Sequence, residues 1–412
     1  MIDAAQLGKR LRGVREGRGL SQQAAAEALG LPRTAVTNME SGSRAVSTLE
    51  LTRLAEIYGY PAGFFLAANE EPEAEELYVM LQRALPEMEH APRVASAVRR
   101  LLDLYCEGAA LRRMLDRTME RTVPSYAMRM TDAGAAIRQG ETVAQEERRR
   151  LGLGNAPIGN IAECIAGWGI WTAAAELPDG LSGLFVNHPA VGLAILVNRR
   201  HGPVRKRFSY AHEYAHALFD REERVTATRQ ENASALMEKR ANAFAAAFLM
   251  PPGGVAEQLA QIGKGQPSRQ VESLFDVANN ARVETDIRAR PGSQAIAYQD
   301  VAVLAHHFGV SFEAAVWRLQ NLRHIGAKAR AALIGQKDTG KRYIKVLGFR
   351  ELLEEGAPPE ASERELRSQL LRLAIEAFRQ EEISRGRLLE IGKKLAIGRD
   401  QLVELAEAAR RD

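Results

Sequence analysis

The sequence predicts a mainly α protein with a small antiparallel β-sheet, an α+β chain in which helical units flank one compact core. Three observations carry this expectation. Helical periodicity dominates both ends, from Leu7 to Arg15 and again from Leu366 to Ile383. Short β-type runs cluster only between Gly167 and Asn198. Between these regions, His212-Glu213-Tyr214-Ala215-His216 lies in a helical setting, followed by a second apolar helix that Pro251-Pro252-Gly253-Gly254 ends.

Composition fits a soluble globular chain of two to four domains, with 412 residues, 46% hydrophobic and 26% charged. No run of 18 apolar residues occurs and no signal-peptide core opens the chain, so the expected address is cytoplasmic. Cys106 and Cys164 are too few for a disulfide framework and are expected to be buried small hydrophobes. A net charge of +4 permits contact with nucleic acid without demanding it.

From the N-terminus, Ser21 is a good N-cap for a helix over Gln22 to Leu29. Gly30 makes a tight turn, and Pro32 opens a second helix through Thr34, Ala35, Val36 and Met39. Two short helices joined at a glycine form a helix-turn-helix, whose second helix enters the DNA major groove. Leu20-Ser21-Gln22-Gln23-x-x-Ala26-x-x-Leu29-Gly30-Leu31 and Met39-Glu40-Ser41-Gly42-Ser43-Arg44 resemble the Xre/Cro-type DNA-binding domain, over Leu7 to about Leu66. That resemblance implies that Arg33, Thr34, Thr37 and Asn38 face bases of double-stranded DNA, while Gln22 and Arg44 contact phosphates. Such modules often bind as dimers, so a homodimer is a possible partner arrangement. Residues 1–66 carry only 8 Lys or Arg against 6 Asp or Glu, which is weak for a DNA module, so a helical domain for a protein partner is the competing reading.

The acidic run Asn69 to Glu76 marks the exit from this domain. Arg93 to Arg121 is Arg-rich and amphipathic, with Val98, Leu101, Leu102, Tyr105 and Leu111 on one side. It is expected as a solvated helix bridging two domains. Gly167 to Trp171, Leu184 to Val186 and Gly192 to Asn198 then read as strands separated by turns. Leu193 to Val197 is the candidate edge strand for a peptide substrate, with a buried strand of no substrate role the equal alternative. His188, Tyr210 and, more weakly, His201 are candidate oxyanion stabilisers, although a lone His or Tyr is more often structural.

The His-Glu-x-x-His segment puts two imidazoles one helical turn apart on one face, where they can share a Zn²⁺. Glu213 beside them can act as base toward a zinc-activated water. With 8 His in the chain, chance would produce the pattern in about one such sequence in a hundred. A third ligand is required. Glu238 opens the helix Met237 to Met250, whose apolar stripe is Ala241, Phe244, Ala245, Phe248 and Leu249, and it is preferred over Asp220, Glu222, Glu223 and Glu231.

Phe208 to Phe219, with Glu238-x-x-Ala241-Asn242-x-Phe244-Ala245 and Leu249-Met250-Pro251, resembles the ImmA/IrrE family of metallopeptidases, from about Ile161 to Met250. The resemblance implies a gluzincin-like core with one zinc per chain. Its ligands would be His212, His216 and Glu238, and its general base Glu213. It also implies site-specific cleavage of a helix-turn-helix repressor. Some members carry a further histidine shortly after the pentapeptide, where this chain reads Phe219-Asp220.

Beyond the breaker, Lys264 to Tyr298 is polar and is expected as a connector. Asp300 to Leu319 resembles the helical segment that closes the family's core, with Phe308, Val310 and Trp317 as packing residues. Adjacent His306 and His307 diverge by about 100° on a helix and are poor co-ligands. Helical periods in Leu366 to Ile383 and Gly386 to Ala409 suggest a C-terminal helical domain.

The expected division is 1–68 helix-turn-helix, 69–150 helical linker, 151–325 peptidase and 326–412 C-terminal helices. The expected function is a zinc-dependent endopeptidase acting on a regulatory protein. The alternatives are a transcription regulator whose peptidase-like domain senses a ligand or metal, and an interaction protein of toxin–antitoxin type.

Overall fold

The computed structural model describes residues 3–17, 20–58, 62, 65, 72–115, 123–229, 235–265, 270–276, 281–287, 292–348 and 364–409. Two compact units divide the chain, Met1–Arg83 and Ala84–Asp412.

The first unit contains α1 (Ala4–Gly17), α2 (Gln22–Leu29), α3 (Arg33–Glu40) and α4 (Thr48–Tyr58), and α5 (Pro72–Ala84) begins in it. The Ser21 hydroxyl accepts from Ala24 N–H, which starts α2 at the expected residue. Gly30, at φ 69°, ends it in the left-handed conformation that a side chain would resist. Leu11, Val14, Ala25, Ala26, Val36, Met39 and Leu54 fill the core. Within it, Arg15 is bound to Glu40 through Nε–Oε1 at 2.5 Å and Nη2–Oε2 at 2.9 Å.

The second unit holds α6 (Pro92–Met114), α7 (Ala133–Arg150), α8 (Ile161–Gly167), β1 (Trp171–Ala175), β2 (Leu181–His188), β3 (Gly192–Asn198) and α9 (Pro203–Phe219). It continues through β4 (Val225–Arg229), α10 (Leu236–Leu249), α11 (Pro252–Gln261), β5 (Gln270–Asp276) and β6 (Ala281–Ile287). The last helices are α12 (Tyr298–Phe308), α13 (Phe312–Asn321), α14 (Ala327–Gly335), α15 (Lys337–Val346), α16 (Arg364–Arg379), α17 (Arg385–Lys394) and α18 (Arg399–Ala409). Helix α9 lies on β2 and β3, and α10 packs against both α9 and α7. The predicted stripe Ala241, Phe244, Ala245, Phe248 and Leu249 is buried throughout. Gly140 lets α7 and α10 meet closely, since a Cβ there would come within 2.4 Å of Arg240 O.

Several expectations are corrected. The sheet is mixed: its order is β1-β3-β2-β4, with β1 parallel to β3 and the other pairs antiparallel. The chain reverses twice between β1 and β3, and β3 inserts between β1 and β2, so β1 and β3 run the same way. Leu193 to Val197 is therefore a central strand, hydrogen-bonded on both sides, and offers no edge. Gly167 closes α8, and the strand starts only at Trp171. The Arg-rich helix α6 is packed: Val98, Leu101, Tyr105 and Leu111 are buried, and the helix lies on α16 and β1. Glu107 inside α6 receives Arg387 (2.6 Å) and Lys394 (2.8 Å) from α17. The C-terminal helices are thereby tied to the same core.

The polar connector contains the β5–β6 hairpin, while Asn279, Asn280 and Pro291 lie outside the described residues. The period Gly386 to Ala409 is two helices, broken where Ala396 adopts φ 54°. Phe308 and Val310 are core residues, but Trp317 is 48% exposed. Cys106 and Cys164 are half-buried and unbridged. Among the described residues no helix is long and apolar enough to cross a membrane.

Candidate metal centre and DNA-reading helix

Pro203 at the first turn starts α9, and every residue from Ser209 to Phe219 is buried. Burying His212, Glu213 and His216 inside such a helix is costly unless each finds a partner. The imidazoles find theirs at Nδ1. His212 Nδ1 lies 3.0 Å from Asn242 Oδ1, and His216 Nδ1 lies 2.8 Å from Asp220 Oδ2. Both acceptors are oxygens, so each Nδ1 carries the proton and each Nε2 presents a lone pair.

These lone pairs converge on Glu238. His212 Nε2 is 3.1 Å from its Oε2, His216 Nε2 is 3.6 Å from its Oε1, and the two Nε2 atoms are 3.1 Å apart. Three electron-rich atoms this close, all buried, form a group that could hold a cation between them. Donors at about 2.1 Å in a tetrahedral arrangement are about 3.4 Å apart, so the spacing fits a zinc-sized ion. Among the described residues this is the one His/Cys/Asp/Glu group that can hold a metal. The field agrees. Burial opposes charge on His216, but the Asp220 hydrogen bond and the carboxylates of Glu213, Asp220 and Glu238 outweigh it and hold the imidazole above its usual range.

Glu213 points to the sheet side of α9. It is fully buried and neither carboxylate oxygen has a hydrogen bond of ordinary geometry. Burial pushes its carboxyl well above the usual range, against the pull of His216, His212 and the Thr228 hydroxyl. It fits only because residue 183 of β2 is glycine, where a Cβ would stand 2.3 Å from Glu213 Oε1. A register shift between Leu181 and Gly183 bends β2 at this point. Opposite Gly183 lies Thr228 of β4, a strand paired only with β2 among the described residues.

Of the competing acids, Asp220 is His216's partner, and Arg240 Nη2 holds its other oxygen at 2.5 Å. Glu222 and Glu223 are exposed, and Glu231 lies outside the described residues. His188 accepts Ala190 N–H (3.2 Å) at the far end of β2, five residues or roughly 17 Å along the strand from Gly183. Tyr210 belongs to the apolar core and His201 sits in the turn after β3. His306 and His307 join no metal-binding group among the described residues. Sequence reasoning missed Gly183, Thr228 and Arg240. Asn242 stood inside the quoted motif without an assigned role, and Asp220 was weighed only as a third ligand, not as the partner of His216.

In the first unit, Arg33, Thr34, Thr37 and Asn38 are placed along α3, where Val36, Met39 and Glu40 face inward. Arg33, Thr34 and Asn38 are exposed. Gln22 is engaged: its Nε2 donates to Glu40 Oε2 (2.9 Å) and its Oε1 accepts from Thr37 Oγ1 (3.1 Å), linking α2 to α3. Arg44 pairs with Glu50 at 2.7 Å.

Comparison with protein families gives two matches. Residues 168–281 match the IrrE N-terminal-like domain of the M78 peptidases, and residues 6–63 match a helix-turn-helix domain. None of the curated proteins compared with the chain matches it. The chain thus joins a region similar to a helix-turn-helix domain to a region similar to the IrrE N-terminal-like domain.

Proposed function

We propose that the protein is a zinc-dependent, site-specific endopeptidase of the cytoplasm that cleaves a transcriptional repressor or similar regulatory protein, and that its own helix-turn-helix brings it to DNA. The observation that carries this reading is the buried, unpaired Glu213 carboxylate beside the His212–His216–Glu238 donor set. A regulator that only sensed metal would have no use for a desolvated base there. A bound Zn²⁺ supplies Lewis-acid polarisation of the scissile carbonyl and the attacking water. His212, His216 and Glu238 would hold it, and Asn242 and Asp220 would fix the two imidazole tautomers. Glu213, whose carboxyl burial raises above its usual range, would take the proton from the attacking water and deliver it to the leaving amine. The free edge of β4 beside Thr228 receives the substrate strand. In the first unit, Arg33, Thr34, Thr37 and Asn38 read bases, Arg44 reaches a phosphate once released from Glu50, and Gln22 braces α3.

The functional division is 1–68, 69–150, 151–325 and 326–412, with α6, α7 and α16 serving as walls of the peptidase core. The fusion itself favours a second reading, a promoter-bound regulator whose peptidase-like domain responds to metal. Metal content by mass spectrometry, together with incubation against candidate repressors, separates the two. About one zinc per chain, lost with cleavage in His216→Ala, is expected for the peptidase. Glu213→Gln should keep the zinc and abolish cleavage. Zinc without cleavage in the wild type leaves the regulator.

A further inference from the structure

Charge is concentrated far from the helix-turn-helix in sequence. Residues 322–348 hold seven Lys or Arg (Arg323, Lys328, Arg330, Lys337, Lys341, Arg342, Lys345) against Asp338 alone. That segment is net +6 in a chain of net +4, so the remaining residues together are net negative. We propose that α14 and α15 form a second DNA-contacting surface, which neutralises phosphates of the duplex whose bases α3 reads. The proposal rests on the DNA-binding reading of the first unit.

The geometry presents these charges outward. At 100° per residue, Lys337, Lys341, Lys345 and Arg342 fall within an arc of about 140° on α15. Asp338 also lies in that arc, at about 100°, and the buried Gly340 and Ile344 lie beside it next to Lys337, at about 300° and 340°, with Gly340 set against the Phe312 ring. Arg323, Lys328, Lys341, Arg342 and Lys345 are exposed and have no carboxylate or carbonyl partner among the described residues. Two guanidinium groups elsewhere in the second unit are held by backbone carbonyls. Arg207 is spent on Gly309, Phe308, Ile158 and Gly159 carbonyls, and Arg221 on Ala217, Val123 and Pro124. Three of the exposed cations, Lys341, Arg342 and Lys345, share about 100° of the α15 face, where like charges repel one another and attract an anion. Beside them stands Trp317, exposed on α13 with the Arg330 guanidinium 4.4 Å above its ring.

Duplex DNA is the occupant that the rest of the chain supplies. A helix-turn-helix is already present, yet residues 1–66 are net only about +2, too few charges for the six to ten phosphate contacts typical of a tight complex. A tethered second surface makes up the deficit at high effective concentration.

The test measures binding of the full chain to a random duplex of about 30 base pairs, by fluorescence anisotropy, from about 50 to about 200 mM salt. Three proteins are compared: wild type, Lys341→Gln with Arg342→Gln and Lys345→Gln, and Arg33→Ala with Asn38→Ala. The triple variant should make the plot of log affinity against log salt shallower by about 2.7, at about 0.9 for each phosphate left unneutralised, with metal content and helix signal unchanged. The α3 variant should keep the wild-type slope on random sequence. A triple variant with the wild-type slope overturns the proposal, even if α3 proves to be the base reader. A shallower slope in the triple variant, with α3 variants that bind every sequence normally, sinks the α3 reading and leaves this surface standing. Single-stranded RNA of equal length that outcompetes the duplex overturns DNA as the occupant.

Discussion

The metal-binding group on α9 and α10 and the exposed face of α3 rest on equally short sequence signatures, but they are held in opposite ways. At the candidate metal-binding group His212, Glu213, His216 and Glu238 are all buried, and neighbours position the imidazoles. Asn242 and Asp220 hold the imidazoles, Arg240 holds Asp220, and Gly183 leaves the room that Glu213 occupies. On α3 the backbone is set by Gln22, Glu40 and the core, and Arg33, Thr34 and Asn38, which would meet DNA, stand in solvent. A catalytic group must be finished before its substrate arrives, whereas a reading helix is completed by its ligand. The same contrast orders the expected effects of mutation, with the largest in the buried group.

Asp220→Asn should be the most damaging change away from the donor atoms themselves. It weakens the hydrogen bond on His216 and leaves the Arg240 guanidinium, 2% exposed, without its counter-charge. Breaking a buried pair costs about 3–5 kcal/mol, and removing such a partner costs about 10–100-fold in metal affinity. Denaturant titration and competition with a chelator read the two effects separately. A stable variant with wild-type zinc affinity would show that the Arg240–Asp220–His216 chain holds nothing.

Gly183→Ala tests the other side of the group. The new methyl collides with Glu213, so overpacking should cost about 1–3 kcal/mol and displace the carboxylate, while the His212–His216–Glu238 group should still take up metal. Wild-type cleavage by this variant would remove Glu213 from the reaction.

On α3, Arg33→Ala with Asn38→Ala should leave thermal stability within about 0.5 kcal/mol, since both side chains are exposed. Specific DNA binding should weaken by about 1–3 kcal/mol for each base that goes unread. An unchanged gel shift on the specific site would mean that α3 is held ready for something other than DNA.

The same contrast explains how much is legible in the sequence. Spacing is local, so His212, His216 and the Ser21–Gly30–Pro32 punctuation of the helix-turn-helix are visible at once. Glu238 follows because one long apolar stripe has only one way to face α9. Gly183 and Thr228 are not visible, because pairing across a bent strand brings them to Glu213 from 30 residues before it and 15 after it in the chain. The position of β3 fails for the same reason: alternation identifies a strand but not its neighbours, and an apolar run such as Leu193 to Val197 suits an edge or a centre until β1 is placed. Trp317 is misplaced because the resemblance that made it a packing residue does not register a guanidinium that covers an exposed ring. Family matches reach as far as the motifs do, residues 6–63 and 168–281, and the walls built by α6, α7 and α16 have to be seen in three dimensions.

The smallest effect belongs to a histidine outside both regions, and it sharpens the contrast by showing what burial does where no function uses it. His201 follows β3, and its Nδ1 has no hydrogen-bond partner among the described residues. Burial, then the nearby charges of Arg205 and Lys206, hold its imidazole down at about 4. Above about pH 6.5 the ring is neutral in both the folded and unfolded chain, and stability is complete. As pH falls below 6.5 the unfolded chain takes up a proton that the folded one refuses, so stability drains away until the folded ring protonates at about 4. His201→Gln should therefore flatten the acid limb of the melting curve between those two values. The ring is open to solvent on one side, so the gain should stay below about 1 kcal/mol, or a shift of about 2–4 °C. His216 is shifted the opposite way by Asp220, Glu213 and Glu238 although it is more deeply buried, and that reversal separates a built cation site from a histidine that is merely covered. An acid limb in His201→Gln as steep as in the wild type would assign the loss of stability below about pH 6.5 to other groups.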